Sequence, residues 1–262
     1  MATVADILQF IENIAPPCMA EDWDKVGLNC GRLNREVNKI LVALDPFPHV
    51  CQEAAAWGAD LLVTHHPLIW ESGFVTDETI QGQCVLELLE HNIAHISAHT
   101  NLDCAPGGVN DTLAAVLGLT DISVIEPKGI DNWGNNWGLM RVGAVESQSL
   151  EDFLKKVKTA LGCDGLRYVE GGRQVRRVAV GGGACGSELR DAVNAGCDTF
   201  VTSDVKYNQF WDARELGINL IDAGHFHTEN PVCAVLAEKL SAAFPDTQIQ
   251  LSQNHRDCVK YC

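Results

Sequence analysis

Short, uniformly apolar runs alternate along the chain with segments whose apolar residues recur at helical spacing. KILVAL at 39–44 is too uniformly apolar for an exposed strand, and DLLVT, IAHISA, DTFVT and INLIDA have the same character. VADILQFIENIA, with Thr3 as a cap, has the spacing of a helix. Further helices are predicted around 49–57, 79–91, 186–195 and 205–216. Strands that alternate with helices predict an α/β fold with mainly parallel sheets and helices on both faces.

The same order of elements occurs twice. EAAAWGADLLVTHH at 53–66 matches DAVNAGCDTFVTSD at 191–204, and VNKILVAL at 37–44 matches VRRVAVGG at 175–182 in the same register. We therefore predict an internal duplication that forms two similar, interlocked α/β units. The predicted division is a first unit at 1–126 with the THHP and HTNLD motifs, a bridge at 127–172, and a second unit at 173–262 with GHFHTE.

Composition narrows the class of protein. The chain has 262 residues, of which 46% are apolar, and its net charge of −16 argues against general binding to nucleic acid. The 11 cysteines are scattered along the chain, their number is odd, and no two of them form a CxxC motif. This distribution is typical of reduced thiols in a cytoplasmic protein. The N-terminus has no signal-peptide layout, and no apolar run approaches the roughly 18 residues of a membrane span.

Candidate metal ligands follow the predicted strands. His65 and His66 come directly after DLLVT, where ligands sit in an open α/β sheet. A histidine pair alone is more typical of an ordinary loop than of a metal site. Pro67 indicates that the strand has ended there, which would allow both imidazoles to serve one ion, although a pair that straddles two ions is the more natural geometry.

Two His-x-x-x-acid pairs strengthen the prediction of a metal site. His99 precedes Asp103 by four residues, and His225 precedes Glu229 in the same way. If Glu229 lies in the first turn of a helix, it faces the same point as His225. A carboxylate can bridge two ions and an imidazole cannot, so the pattern predicts a two-ion site with open positions for water. The predicted ligands are His65, His66, Asp103, His225 and Glu229.

These motifs carry a family resemblance. WDKVGLNCG, GADLLVTHHPLIW, HTNLD with GGVND, VAVGGGACG, CDTFVTSDVKY and IDAGHFHTEN occur in that order. The chain resembles the GTP cyclohydrolase I type 2 family, also called Nif-three-like dinuclear-metal proteins, over essentially its whole length. The resemblance implies the same five ligands, a pair of similar α/β domains, and a toroidal homohexamer.

Two further residues are candidates for proton transfer. His99 could act as a proton donor or support Asp103, and a hydrogen-bonded interior histidine is the plainer alternative. Asp204 stands where the first copy has His66, so it could orient a ligand histidine, receive a proton, or cap the following helix.

Other side chains suggest substrate contacts only weakly. His227 is expected to point away from the ligands. Trp133, Trp137 and Arg141 could stack on a base and pair with phosphate, although covering a core is the commoner role. The glycines of VAVGGGACGSE fit a phosphate cradle or simply a tight turn.

The resemblance implies hydrolysis of GTP, or of another nucleotide as the small-molecule substrate, with opening of the guanine imidazole ring and release of formate. Two divalent ions per chain, zinc, iron or manganese, would suit three imidazoles and two carboxylates. The alternatives are a metal-dependent phosphoesterase and a non-catalytic, metal-binding hexameric scaffold or regulator.

Overall fold

The computed structural model describes residues 1–71 and 73–262, which form two compact units. Unit 1 contains Met1–Leu102 and Cys233–Arg256. Unit 2 contains Asp103–Val232 and Asp257–Cys262. None of the helices in the described part of the chain combines the length and the apolar character needed to cross a bilayer.

Strands and helices alternate as predicted, and the α/β class is confirmed. The strands are β1 (Ala2–Thr3), β2 (Gly27–Cys30), β3 (Glu36–Val37), β4 (Lys39–Ala43), β5 (Leu61–Thr64), β6 (Ala94–Ser97), β7 (Thr120–Ile125), β8 (Gly129–Ile130), β9 (Asn136–Trp137), β10 (Met140–Gln148), β11 (Arg167–Val169), β12 (Val175–Val180), β13 (Thr199–Thr202), β14 (Asn219–Asp222) and β15 (Gln248–Leu251). The helices are α1 (Val4–Ile14), α2 (Pro48–Trp57), α3 (Ile80–Glu90), α4 (Thr100–Cys104), α5 (Val109–Val116), α6 (Leu150–Leu161), α7 (Leu189–Asn194), α8 (Tyr207–Leu216), α9 (His225–Glu229) and α10 (Pro231–Ala243).

Unit 1 is built on a sheet with the strand order β15-β4-β5-β6-β2, in which only the β2–β6 pair is antiparallel. On one face, Leu41 and Leu62 pack with Val50 of α2 and Leu88 of α3. Val42 on the other face is 0% exposed. Burial on both faces explains why these strands read as continuous apolar runs.

Unit 2 has a mixed sheet with the order β11-β14-β13-β12-β10-β7. The pairs β12–β13 and β13–β14 are parallel, and the other three are antiparallel, so the prediction of a mainly parallel sheet is wrong for this unit. Val178 and Val180 pack with Phe153 of α6, while Ala179 packs with Ala213 of α8. Side chains alternate along a strand, so helices cover both faces of this sheet, as predicted.

The compact units differ from the predicted division at 126/127 and 172/173. The segment 127–172 is part of unit 2, because β10 pairs with both β7 and β12 and α6 packs into the core. Residues 233–256 belong to unit 1, because β15 pairs parallel with β4. These pairings join segments far apart in sequence, which local periodicity does not reveal.

A buried polar contact holds the end of β5. The Thr64 hydroxyl donates to the His66 carbonyl oxygen at 2.5 Å, so it accepts from the His95 Nε2–H at 2.8 Å. His95 is 0% exposed, and burial lowers its pKa to about 3. The neutral imidazole of His95 thus fixes the backbone that carries His65 and His66.

This contact predicts acid sensitivity of the folded state. The unfolded chain protonates His95 below about pH 6.5, whereas the folded chain resists protonation down to about pH 3. The stabilisation is therefore complete above pH 6.5 and decreases as the pH falls. Between pH 7 and pH 5, His95 accounts for a loss of about 2 kcal/mol.

Urea unfolding of the metal-free protein at both pH values measures this loss. The His95→Gln variant has no imidazole at this position and should lose less stability on acidification than the wild type. His91→Gln, at a half-exposed imidazole of the same unit, is the control. An unchanged pH dependence in His95→Gln would contradict the assignment.

Candidate metal centre

Unit 1 brings three imidazoles together at the carboxyl ends of neighbouring parallel strands. His65 and His66 follow β5, and His99 follows β6. One ligand atom from each lies within 4.8 Å of the others. The ring centroids of His65 and His66 are 4.9 Å apart, and that of His99 lies 5.1 Å and 5.3 Å from them, respectively. All three residues are at least nine-tenths buried.

Each of these imidazoles is oriented through its Nδ1 atom. The acceptor is the Ala98 carbonyl oxygen for His65 at 2.9 Å, and Asp45 Oδ1 for His66 at 2.6 Å. For His99 it is Asp24 Oδ1, at 2.9 Å. An oxygen acceptor selects the tautomer with the proton on Nδ1, which leaves the lone pair on Nε2 as the potential metal ligand.

The two aspartates that orient His99 and His66 are held as carboxylates. Burial raises the pKa of Asp24, but hydrogen bonds from His99 and Thr100 outweigh it, and the net pKa is well below the usual range. Burial also raises the pKa of Asp45, but hydrogen bonds from His255 and His66 outweigh it and bring the pKa well below its usual range. Sequence reasoning missed both aspartates as positioning residues. The position of Asp45, directly after KILVAL, was the available signal.

Unit 2 gathers Asp103, His225 and Glu229. His225 Nε2 lies 2.9 Å from Glu229 Oε2, and a carboxylate oxygen of Asp103 lies within 4.8 Å of a ligand oxygen of Glu229. The sequence predicts that Glu229 lies in the first turn of a helix. Instead, α9 begins at His225 and includes Glu229, which puts the two side chains on one face at the i and i+4 positions.

Asp204 orients His225 as other oxygens orient the imidazoles of unit 1. Its Oδ2 atom lies 2.6 Å from His225 Nδ1, which directs the Nε2 atom of His225 towards Glu229. Asp204 has a φ of +51° and an exposed side chain. It is not the cap of α8, because the capping residue of that helix is Lys206.

The donor set fits a divalent cation. Asp103 and Glu229 are only 6% and 4% exposed, and buried carboxylates within 4.8 Å of each other repel unless a cation lies near them. Imidazole nitrogens and carboxylate oxygens are ligands for zinc, iron and manganese.

Glycines at the end of β12 make room for Glu229. A Cβ atom on Gly183 would lie 2.1 Å from Glu229 Oε1, and Gly183 has a φ of +67°. The Gly183 N–H donates to Thr228 Oγ1, and the Gly182 N–H donates to Asn110 Oδ1. Because these amides are already bonded within the protein, we assign the glycine run to packing around Glu229 rather than to a phosphate cradle.

Arg141 supports the helix that carries Asp103. It is 1% exposed and contacts both carboxylate oxygens of Asp111, at 2.8 Å and 3.0 Å. Its guanidinium also donates to the carbonyl oxygens of Cys104 and Ala105, directly after Asp103. These bonds occupy the guanidinium, so Arg141 is a structural residue and not a phosphate ligand.

His227, which was expected to point away, and Trp133, a candidate for base stacking, do not contact the proposed ligands of unit 2 in any hydrogen bond or ion pair described for them. His227 points away, since its Nδ1 lies 3.2 Å from the Leu161 carbonyl oxygen and its Nε2 lies 3.1 Å from Asp257. Trp133 is 68% exposed beside the Asp131 turn.

The chain is similar to known proteins over nearly its whole length. A protein from Clostridium perfringens named "GTP cyclohydrolase 1 type 2 homolog" is 33% identical over 260 residues, covering 98% of each chain. A Streptomyces coelicolor protein of the same name is 36% identical over 247 residues, covering 92% of this chain and 86% of its own. Among solved structures, a Bacillus cereus protein related to NIF3 superposes with a TM-score of 0.93 at 25% identity, covering 100% of this chain and 99% of its own.

The family match extends over nearly the whole chain. The model of the family described as Duf34/NIF3 (NGG1p interacting factor 3) matches residues 2–257. The resemblance predicted from the motifs is confirmed, and the chain belongs to the Duf34/NIF3 family.

Proposed function

We propose that this protein binds two divalent metal ions and uses them to hydrolyse GTP or a related nucleotide, opening the guanine imidazole ring and releasing formate. The observation that carries the proposal is the common orientation of His65, His66, His99 and His225. An oxygen acceptor on Nδ1 prepares each of them to bind or react through Nε2. The name shared by the relatives supports the choice of reaction.

The proposed ligand set is the one predicted from the sequence. It combines neutral imidazoles with carboxylates that can bridge ions, which suits zinc, iron(II) or manganese. Its members are His65, His66, Asp103, His225 and Glu229.

The chain's own groups would orient the ligands and move protons. A bound divalent ion supplies Lewis acidity that makes water reactive at neutral pH. His99 would transfer a proton at Nε2, because the Asp24 carboxylate holds its Nδ1–H and stabilises the charged ring. Asp204 would hold His225 in its ligand orientation, and its exposed carboxylate is placed to receive a proton.

We also propose that the two units arose by duplication. Displacing β5 by the repeat offset seen in the sequence gives the bounds of β13, Thr199–Thr202. In both units this strand lies between two parallel neighbours. The return of 233–256 to unit 1 supports an interlocked arrangement. A homohexamer, implied by the family resemblance, is part of the proposal and is testable by light scattering.

The proposed reaction predicts formate release. Protein reconstituted separately with zinc, iron(II) or manganese is incubated with GTP, and formate is measured. At least one metal form should produce formate, and His66→Ala should abolish the production by removing a proposed ligand.

If none of the metal forms releases formate from GTP, GTP is not the substrate. If the wild type still holds two ions per chain, a phosphoester substrate or a non-catalytic binding role becomes the better explanation. If it holds no ion, the metal centre itself is rejected.

The glycine at the end of β12 provides a separate test of the metal centre. In Gly183→Ala the new methyl group would displace the Glu229 carboxylate, so zinc affinity should fall by at least about tenfold, or about 1.4 kcal/mol. Gly162→Ala is a matched control, because Gly162 has a similar φ of +65° with no atom within 4 Å of the added Cβ.

Both variants should lose about 1–2 kcal/mol of unfolding free energy through the left-handed backbone conformation. Competition with a chelating dye measures zinc affinity, and urea unfolding without metal measures stability. Equal zinc affinities for the two variants would contradict the assigned role of Glu229.

A further inference from the structure

Two tryptophans of unit 1 are exposed beside the imidazole cluster. Trp23 is 59% exposed and Trp70 is 50% exposed. Tryptophan is on average a highly buried residue, because its large apolar surface is costly to leave in water. Two indoles exposed at one place therefore point to a binding surface.

The ring geometry puts both indoles against His99. The centroid of Trp23 lies 5.9 Å from that of His99, with an interplanar angle of 71°. The corresponding values for Trp70 are 5.3 Å and 82°. Trp70 also lies 6.3 Å from His66. Because neither indole stacks flat on His99, each keeps a broad face for another ring.

Charge near the indoles selects the kind of ligand. The exposed residues Asp22 and Glu71 are adjacent in sequence to Trp23 and Trp70, in a chain with a net charge of −16. Carboxylates repel phosphate, whereas the negative face of an indole attracts a polarised or cationic ring. The surface therefore favours a planar heterocycle over an anionic group.

We propose that Trp23 and Trp70 form a stacking subsite for a planar nitrogen heterocycle of the purine class and present that ring to His66 and His99. This inference deepens the proposed function and rests on it for the site of the reaction. It assigns recognition to the ring itself, and a phosphate group is not required for binding at these residues.

Binding without turnover tests the subsite. Guanosine, guanosine 5′-monophosphate and ribose 5-phosphate are titrated by calorimetry and by quenching of indole fluorescence, into both metal-free and zinc-loaded protein. Guanosine should bind, and ribose 5-phosphate should not compete with it. Trp23→Ala and Trp70→Ala should each weaken guanosine binding about 5- to 150-fold, the range measured for loss of one stacked aromatic ring.

Two further kinds of variant serve as controls: tryptophan-to-phenylalanine changes at the subsite, and removal of a tryptophan from unit 2. Trp23→Phe and Trp70→Phe keep a ring and should retain most of the affinity. Trp133→Ala removes an indole that is 68% exposed in unit 2 and should bind guanosine like the wild type. Light scattering on every variant monitors self-association.

Wild-type protein that does not bind guanosine, or alanine variants that bind it normally, would overturn the proposal. A change of oligomeric state at unchanged affinity would also overturn it, because the indoles would then belong to an interface between copies. Failure of the proposed function is distinguishable, since it leaves guanosine binding intact while the metal-loaded wild type releases no formate.

Discussion

The hydrogen bond from an imidazole Nδ1 to an oxygen acceptor is the interaction on which the candidate centre depends. The acceptors are a backbone carbonyl for His65 and carboxylates for His66, His99 and His225. Each bond fixes both the tautomer and the direction of the ring, so that Nε2 is the atom presented for binding or proton transfer. His227 has no comparable role, because its Nε2 atom faces Asp257, which is not one of the proposed ligands.

The two units produce this orientation by different means. In unit 1, neighbouring parallel strands end at the same edge of the sheet, so His66 and His99 lie close together, and Asp45 follows the adjacent strand β4. In unit 2, the short helix α9 puts His225 and Glu229 on one face, and the absence of a side chain at Gly183 accommodates the buried carboxylate. Arg141 holds the backbone that follows Asp103.

Much of this could be predicted from the sequence, because strand burial and ligand spacing are local properties. The apolar runs located β5 and β13, and the His-x-x-x-acid spacing located His225 and Glu229. The partners of β10 and β15 could not be predicted, because strand pairing across long stretches of chain leaves no periodic signal. The contacts of Asp24 and Asp45 do not follow from local spacing either, since each contacts a histidine distant in sequence, although the position of Asp45 directly after an apolar run was a usable signal.

Anomalous X-ray diffraction from crystals grown with zinc is the sharpest test of the two-ion site, because it locates each ion without reference to any activity. Two peaks per chain are expected, with His65, His66 and His225 coordinating through Nε2 at about 2.0–2.1 Å and with Asp103 and Glu229 as carboxylate ligands. Coordination through Nδ1, or zinc bound only at the exposed thiols of Cys18, Cys258 and Cys262, would contradict this assignment.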